Sequence, residues 1–178
     1  MAGTPRRPAR KPDPHRQQEL YWRQLVELKV ASSYVRAYRD KTARYVTALG
    51  VLRAMASSGA IGGWVIWRQQ AFVWGCIIAA SQVADALKDV FPFAQRHKAA
   101  SAHSIVLDSL FIDAQLEWEN VFAGVLTNQQ IVDRRHKLAK LQHDADSRHF
   151  PDGLPPDPKR FALAQQDAED YFKSTYGV

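Results

Sequence analysis

The chain has 178 residues, and its 24 lysines and arginines outnumber 18 aspartates and glutamates to give a formal net charge of +6. Hydrophobic residues make up 46% of the chain and aromatic residues 11%, which excludes wholesale disorder because a disordered chain lacks the apolar surface to form a core. A single cysteine, Cys76, excludes a disulfide scaffold, and its apolar surroundings indicate a packing residue. The length therefore suits one domain or a small domain with a tail.

Residues 1–16 differ from the rest of the chain. They carry Arg6, Arg7, Arg10, Lys11 and Arg16 against Asp13 alone, together with four prolines and no apolar run of the signal-peptide type. We interpret them as a disordered basic tail that rests loosely on anionic lipid or nucleic acid. No specific nucleic-acid binding is expected, because the segments beyond Val90 are nearly neutral or acidic.

Residues 17–44 are predicted to form an N-terminal cytoplasmic helix. Val35, Tyr38 and Thr42 recur at helical spacing, and the pattern continues through Tyr45 and Leu49. Basic residues decorate this helix just before an apolar segment begins, namely Arg36, Arg39, Lys41 and Arg44.

Two apolar runs follow, and we predict that residues 45–93 form a transmembrane hairpin. The first run, about 45–67, contains one charge, Arg53, and is long enough to span a bilayer, which takes about 20 residues. The second, about 71–90, reaches spanning length only by including charges near its end, because its apolar part covers only 71–84. A run that short, taken alone, is more typical of a buried core helix.

Three features favour the membrane hairpin over a soluble one. Trp64, Trp67 and Trp74 bracket the connection, as an interfacial aromatic belt would. Basic residues flank both outer ends, which by the positive-inside rule places both termini in the cytoplasm. Finally, Arg53 and Asp85 lie sixteen residues on either side of Gln69, so the two charges occupy one depth.

Small and polar residues within the hairpin suggest how its helices pack. Gly59 and Gly63 form a GxxxG pattern, which allows close approach of two helices. Arg53 and Asp85 are interpreted first as a static pair that keeps the helices in register, and Gln82 adds a polar position for a gate.

Residues 94–150 are predicted to form cytoplasmic helices, and residues 151–178 a linker and a last helix to about Tyr171. The strongest amphipathic face of the chain lies between Leu107 and Val125. This face needs a partner, either the 17–44 helix or other subunits, and we assign it to oligomer contacts. Thr127 and Gln130 have capping-box spacing, while Asp157 and Pro158 suit an N-cap and a first helical position. The residues assigned to the oligomer face are Leu107, Phe111, Trp118 and Phe122.

Catalytic patterns are scarce. No Gly-rich phosphate loop, HExxH, CxxC or nucleophile elbow is present. Asp133 and His136 share a helix face but lack a second such motif, so a surface hydrogen bond is expected there. Two further histidine pairs, His97 with His103 and His143 with His149, are six residues apart, which argues against chelation within a helix. We therefore expect no enzyme, no metal and no cofactor.

The order of parts resembles the SLATT family of bacterial two-transmembrane effectors. The resemblance covers residues 17–178 and rests on Tyr34-Val-Arg-Ala-Tyr-Arg, Phe91-Pro-Phe, the segment from Lys98 to His103, Ala168-Glu-Asp-Tyr-Phe and Tyr176-Gly. It implies a membrane-disrupting, pore-forming effector of antiphage defence that oligomerises in the bacterial inner membrane. The expected trigger is a nucleotide second messenger or a nucleotide-generating or sensing protein. The alternative is a soluble or membrane-tethered helical adaptor without pore activity.

Overall fold

A computed structural model describes residues 15–66, 71–86 and 92–177. These residues form the helices α1 (Arg16–Ile66), α2 (Ala71–Ala86), α3 (Phe93–Phe122), α4 (Asn128–His149) and α5 (Pro158–Tyr176). No strand occurs in the described ranges, so the prediction of an all-α protein is confirmed at that level.

Helix α1 is the longest element, with 51 residues and a length of about 76 Å at 1.5 Å per residue. The sequence predicts that a cytoplasmic helix ends at residue 44 and a membrane span begins at residue 45. Helix α1 continues through this position without a break. Helix α3 runs antiparallel to it, since Tyr21 contacts Ala114 and Tyr45 contacts Phe93. The part of α1 after Tyr45 therefore continues past the start of α3.

Because α1 extends beyond the start of α3, the described residues divide into two parts. The helical body consists of residues 16–44 of α1 with α3, α4 and α5. The hairpin arm consists of residues 45–66 of α1 and all of α2, which contacts α1.

The core of the helical body forms where α1 meets α3 and α5. Trp22 of α1 packs against Trp118 of α3 and Phe172 of α5, with ring centroids 5.0 and 4.9 Å apart. The burial of these apolar faces supplies most of the stabilisation. The buried members of this cluster are Leu25, Leu28, Val35, Leu107, Phe111, Ala114, Leu138 and Phe172.

Local signals fix the ends of the later helices. The Thr127 side chain accepts a hydrogen bond from the Gln130 backbone N–H, and the Gln130 side chain accepts one from the Thr127 backbone N–H, which confirms the predicted capping box. Asp157 caps α5 and Pro158 is its first residue, as predicted. Helix α5 ends at Tyr176, later than the predicted Tyr171, and is capped by Gly177, whose φ of 71° is a left-handed conformation that glycine adopts readily.

Candidate functional site: the hairpin arm

The hairpin arm exposes large apolar side chains. Phe72 is 84% exposed and Val83 is 57% exposed, and Cys76, which the sequence analysis interpreted as a packing residue, is exposed on the same helix. At 100° per residue, these α2 positions fall within one face. Burial of apolar surface contributes about 25 cal/mol per Å², so covering this face would be favourable.

The predicted polar residues of the arm lie on both of its helices. Arg53 of α1 and Gln82 of α2 are exposed. Asp85 belongs to α2, but its side chain lies outside the described residues, so the pairing of Arg53 with Asp85 stays a prediction. Among the residues that the structure describes, no helix is both long and apolar enough to cross a membrane.

The predicted packing and anchor residues fall on less fully described positions. Gly59, Gly63 and Trp64 belong to α1, but the structure does not describe the contacts at these three positions. The same holds for the side chain of Trp74 in α2, and Trp67 lies outside the described residues altogether. Their roles in helix packing and interfacial anchoring stay predictions.

The predicted oligomer face is largely the core of the helical body. Leu107 is fully buried and Phe111 is 6% exposed, and both pack in the cluster that α1 and α5 complete. Trp118 lies between α1 rings, 6.0 Å from Tyr21 and 5.0 Å from Trp22. Trp118 is partly buried, and Phe122 is 72% exposed. The same chain therefore covers Leu107 and Phe111 and partly covers Trp118, as one of the two predicted partners of this face would, and a role of the four residues in oligomer contacts stays a prediction.

A different face of α3 carries the exposed apolar side chains. Ile105, Ile112 and Leu116 are 68%, 65% and 69% exposed. Their spacing of seven and four residues places them on one stripe of the helix, away from α1. The spacing of these three residues is visible in the sequence, but the sequence analysis predicted only the face that carries Phe111 and Trp118.

A partly buried polar layer joins three helices of the body. The Asp108 carboxylate on α3 accepts hydrogen bonds from Ser32 and Arg36 on α1, at 2.5 and 3.0 Å. One turn earlier on α1, the Lys29 ammonium lies 5.2 Å from the centre of the Phe111 ring and 4.2 Å from that of Tyr171. Burial lowers the pKa of Lys29, and the carboxylates of Asp167 and Asp108 oppose that shift.

His103 is an almost fully buried ionisable side chain whose partner the sequence analysis did not predict. Its Nε2 lies 2.9 Å from a carboxylate oxygen of Asp146 on α4, and its ring centre is 5.5 Å from that of His149. Burial lowers the pKa of His103, while Asp146 raises it in part. The pairing joins α3 to α4, so the spacing of histidines along one helix carries no signal of it.

The other histidines and acids paired by spacing in the sequence have different partners. His97 Nδ1 lies 3.3 Å from the backbone oxygen of Arg39, and Asp133 accepts a hydrogen bond from Gln129 rather than from His136. Within residues 15–66, 71–86 and 92–177, no three His, Cys, Asp or Glu side chains converge as metal ligands would.

Comparisons with known proteins give no match: no family model fits the sequence, and no curated protein or solved structure is similar to it.

Proposed function

We propose that the protein is a membrane-disrupting effector whose hairpin arm enters the bacterial inner membrane while both termini and the helical body stay in the cytoplasm. The exposed apolar face of α2, with Phe72 and Val83, carries this proposal. Such a face is stabilised by transfer into lipid, since each large side chain buried contributes about 1.5–3 kcal/mol.

The proposed mode of disruption follows from the length of the arm. Helix α2 has 16 residues and is about 24 Å long, whereas the hydrocarbon core of a bilayer is about 30 Å thick. A short apolar helix is accommodated by local thinning of the bilayer or by oligomerisation. Several hairpins are needed to enclose a water path, because each backbone group at membrane depth is satisfied within its own helix.

Assembly is proposed to use the hairpin arms and the outer stripe of α3. The inner face of α3 is occupied within the chain, so Ile105, Ile112 and Leu116 offer the exposed apolar surface for a second copy. The resemblance to nucleotide-signalled effectors supports a trigger supplied by a separate protein or a nucleotide second messenger.

The same stripe favours one alternative function. Three exposed aliphatic side chains in a row are typical of a helix that docks on another protein. An adaptor that uses Ile105, Ile112 and Leu116 for this purpose needs no pore.

Membrane entry of the arm is tested with Cys76, the single cysteine of the chain. Cys76 is exposed on α2, so an impermeant maleimide labels it in detergent-free aqueous solution. After reconstitution into vesicles the thiol is expected to be protected. The control is Cys76→Ser combined with Ser174→Cys, which puts an exposed thiol near the end of α5 that stays reactive from the body's side of the bilayer. Equal labelling of Cys76 with and without vesicles contradicts membrane entry.

Disruption itself is tested by membrane depolarisation on overproduction. Val83→Asp places a charge on the apolar face of the arm, which costs several kcal/mol in lipid, and is expected to abolish depolarisation. Val125→Asp is the matched control, because Val125 is 70% exposed after α3 in the helical body. If Val83→Asp depolarises cells as wild type does, or if wild type never does when activated, the effector proposal fails and the adaptor is favoured.

A further inference from the structure

A concave basic surface lies at the root of the hairpin arm. It is a groove of about 730 Å³ between α1 and the first turns of α5. Lys41 and Arg44 line it from α1, and Lys159 and Arg160 from α5. We call these four side chains and the space between them the root groove.

The fold builds the root groove by tying the start of α5 to α1. The hydroxyl of Tyr34 donates to the Pro155 carbonyl at 2.8 Å and accepts from the Asp157 backbone N–H at 3.1 Å. The ring of Phe161 packs edge-on against Tyr34, with centroids 6.2 Å apart. More than one hundred residues separate Arg44 from Lys159 in sequence, so only the fold brings these cations together.

The charges of the root groove are unbalanced. Asp157 contacts Lys41 at 3.6 Å and also pairs with Arg160. Asp40, the second acid of the lining, is held by Arg39 at 2.9 Å. Arg44 and Lys159 make no ion pair with any described residue, and both are exposed. The groove therefore keeps an excess of positive charge in a concave site, which attracts anions.

The groove combines these cations with exposed apolar side chains. Leu163 is 62% exposed and Tyr45 is 46% exposed, and both line the groove. A ligand that suits both features has a phosphate for the guanidinium and ammonium groups and an apolar part for the rim. Because Arg44 directly precedes the hairpin arm, the groove lies where the body would meet the membrane surface.

We infer that the root groove binds the phosphate of an anionic phospholipid and so seats the helical body on the bilayer at the base of the arm. This inference rests on the proposed membrane entry of the arm. It adds a specific headgroup contact, made by α5 as well as α1, that membrane entry alone does not require.

The test compares two double variants of the full chain. Arg44→Gln with Lys159→Gln removes two groove cations that no described residue pairs with. The control, Lys137→Gln with Lys140→Gln, removes the same charge from exposed positions of α4. Flotation measures partitioning onto vesicles of phosphatidylcholine alone and of an equal mixture with phosphatidylglycerol. A basic residue near an anionic surface contributes about a fivefold gain in binding, so the groove variant is expected to lose about thirtyfold on the anionic vesicles.

The inference predicts that the α4 control binds anionic vesicles nearly as wild type does, and that all three proteins bind phosphatidylcholine equally. An equal loss in both variants would show that the attraction is spread over the surface and would overturn the groove. Unchanged binding of the groove variant would overturn it as well, while membrane entry stands.

Two further outcomes separate the inference from the proposed function. If wild type binds neither vesicle, membrane entry fails and the lipid assignment fails with it. Titration with glycerol phosphate against sodium chloride at equal ionic strength then distinguishes the source of the phosphate. Saturable binding of glycerol phosphate by wild type, lost in the groove variant, without preference for anionic vesicles, would overturn the lipid in favour of a free phosphate ligand.

Discussion

Truncation of Phe111 distinguishes a core residue from an interface residue. Phe111 is 6% exposed, and its ring contacts those of Tyr171 and Phe172 at centroid distances of 5.5 and 6.3 Å. Phe111→Ala removes the buried ring and leaves a cavity against Lys29 and α5, which typically costs about 3–5 kcal/mol. Since whole domains are stable by only about 5–15 kcal/mol, this loss is a large fraction of the total.

Phe122→Ala is the matched control, because Phe122 lies on the same helix and is 72% exposed. Its ring contacts Trp118 alone among the described rings, at 5.9 Å, and its truncation is expected to cost less than about 1 kcal/mol. Urea unfolding followed by tryptophan fluorescence measures both variants, with Trp22 and Trp118 reporting on the core. If Phe111→Ala unfolds at the same urea concentration as Phe122→Ala but dissociates an oligomer, Phe111 is an interface residue and the reasoning fails.

Three smaller changes test local features of the helical body. Thr127→Ala removes the cap of α4 and is expected to lower the free energy of unfolding by about 1 kcal/mol, whereas Thr127→Ser retains most of it; equal melting curves would contradict the capping role. Tyr34→Phe removes two hydrogen bonds to the 151–157 connection and is expected to speed amide exchange there, with unchanged exchange contradicting the anchor. Burial lowers the pKa of His103 below its usual value of about 6.5, so the unfolded chain binds more protons than the folded protein as the pH drops through that value, and stability is expected to fall there with decreasing pH. His103→Gln should flatten that slope, and an equally steep slope in the variant would assign it to other groups.

Local patterns in the sequence were enough to predict the helical class and several helix ends. Thr127 with Gln130 and Asp157 with Pro158 act within one turn of the chain, so their roles follow from spacing alone. The end of α5 was placed too early because Ser174 and Thr175 weaken the periodic pattern, although Gly177 was the available stop signal.

The partner of a helix face is not contained in its periodicity. The spacing of Leu107, Phe111 and Trp118 correctly groups them on one face of α3, but it gives no distinction between α1 of the same chain and a second subunit. The contact of His103 with Asp146 and the convergence of Arg44 with Lys159 depend on tertiary packing in the same way. The root groove depends on such packing, whereas the apolar face of α2 is visible in the local sequence.

Helix α1 shows where the environment of the chain changes even though its secondary structure does not. Buried side chains recur along α1 from Tyr21 to Thr42, and none of the described side chains from residue 43 to residue 54 is buried. The helix itself continues to Ile66 without interruption. Since the hydrogen bonds of a helix are satisfied internally, one helix suits both a protein core and an apolar solvent. The root groove lies beside the part of α1 where the buried side chains end, since Lys41, Arg44 and Tyr45 line it. A ligand bound there would therefore contact both the helical body and the base of the hairpin arm.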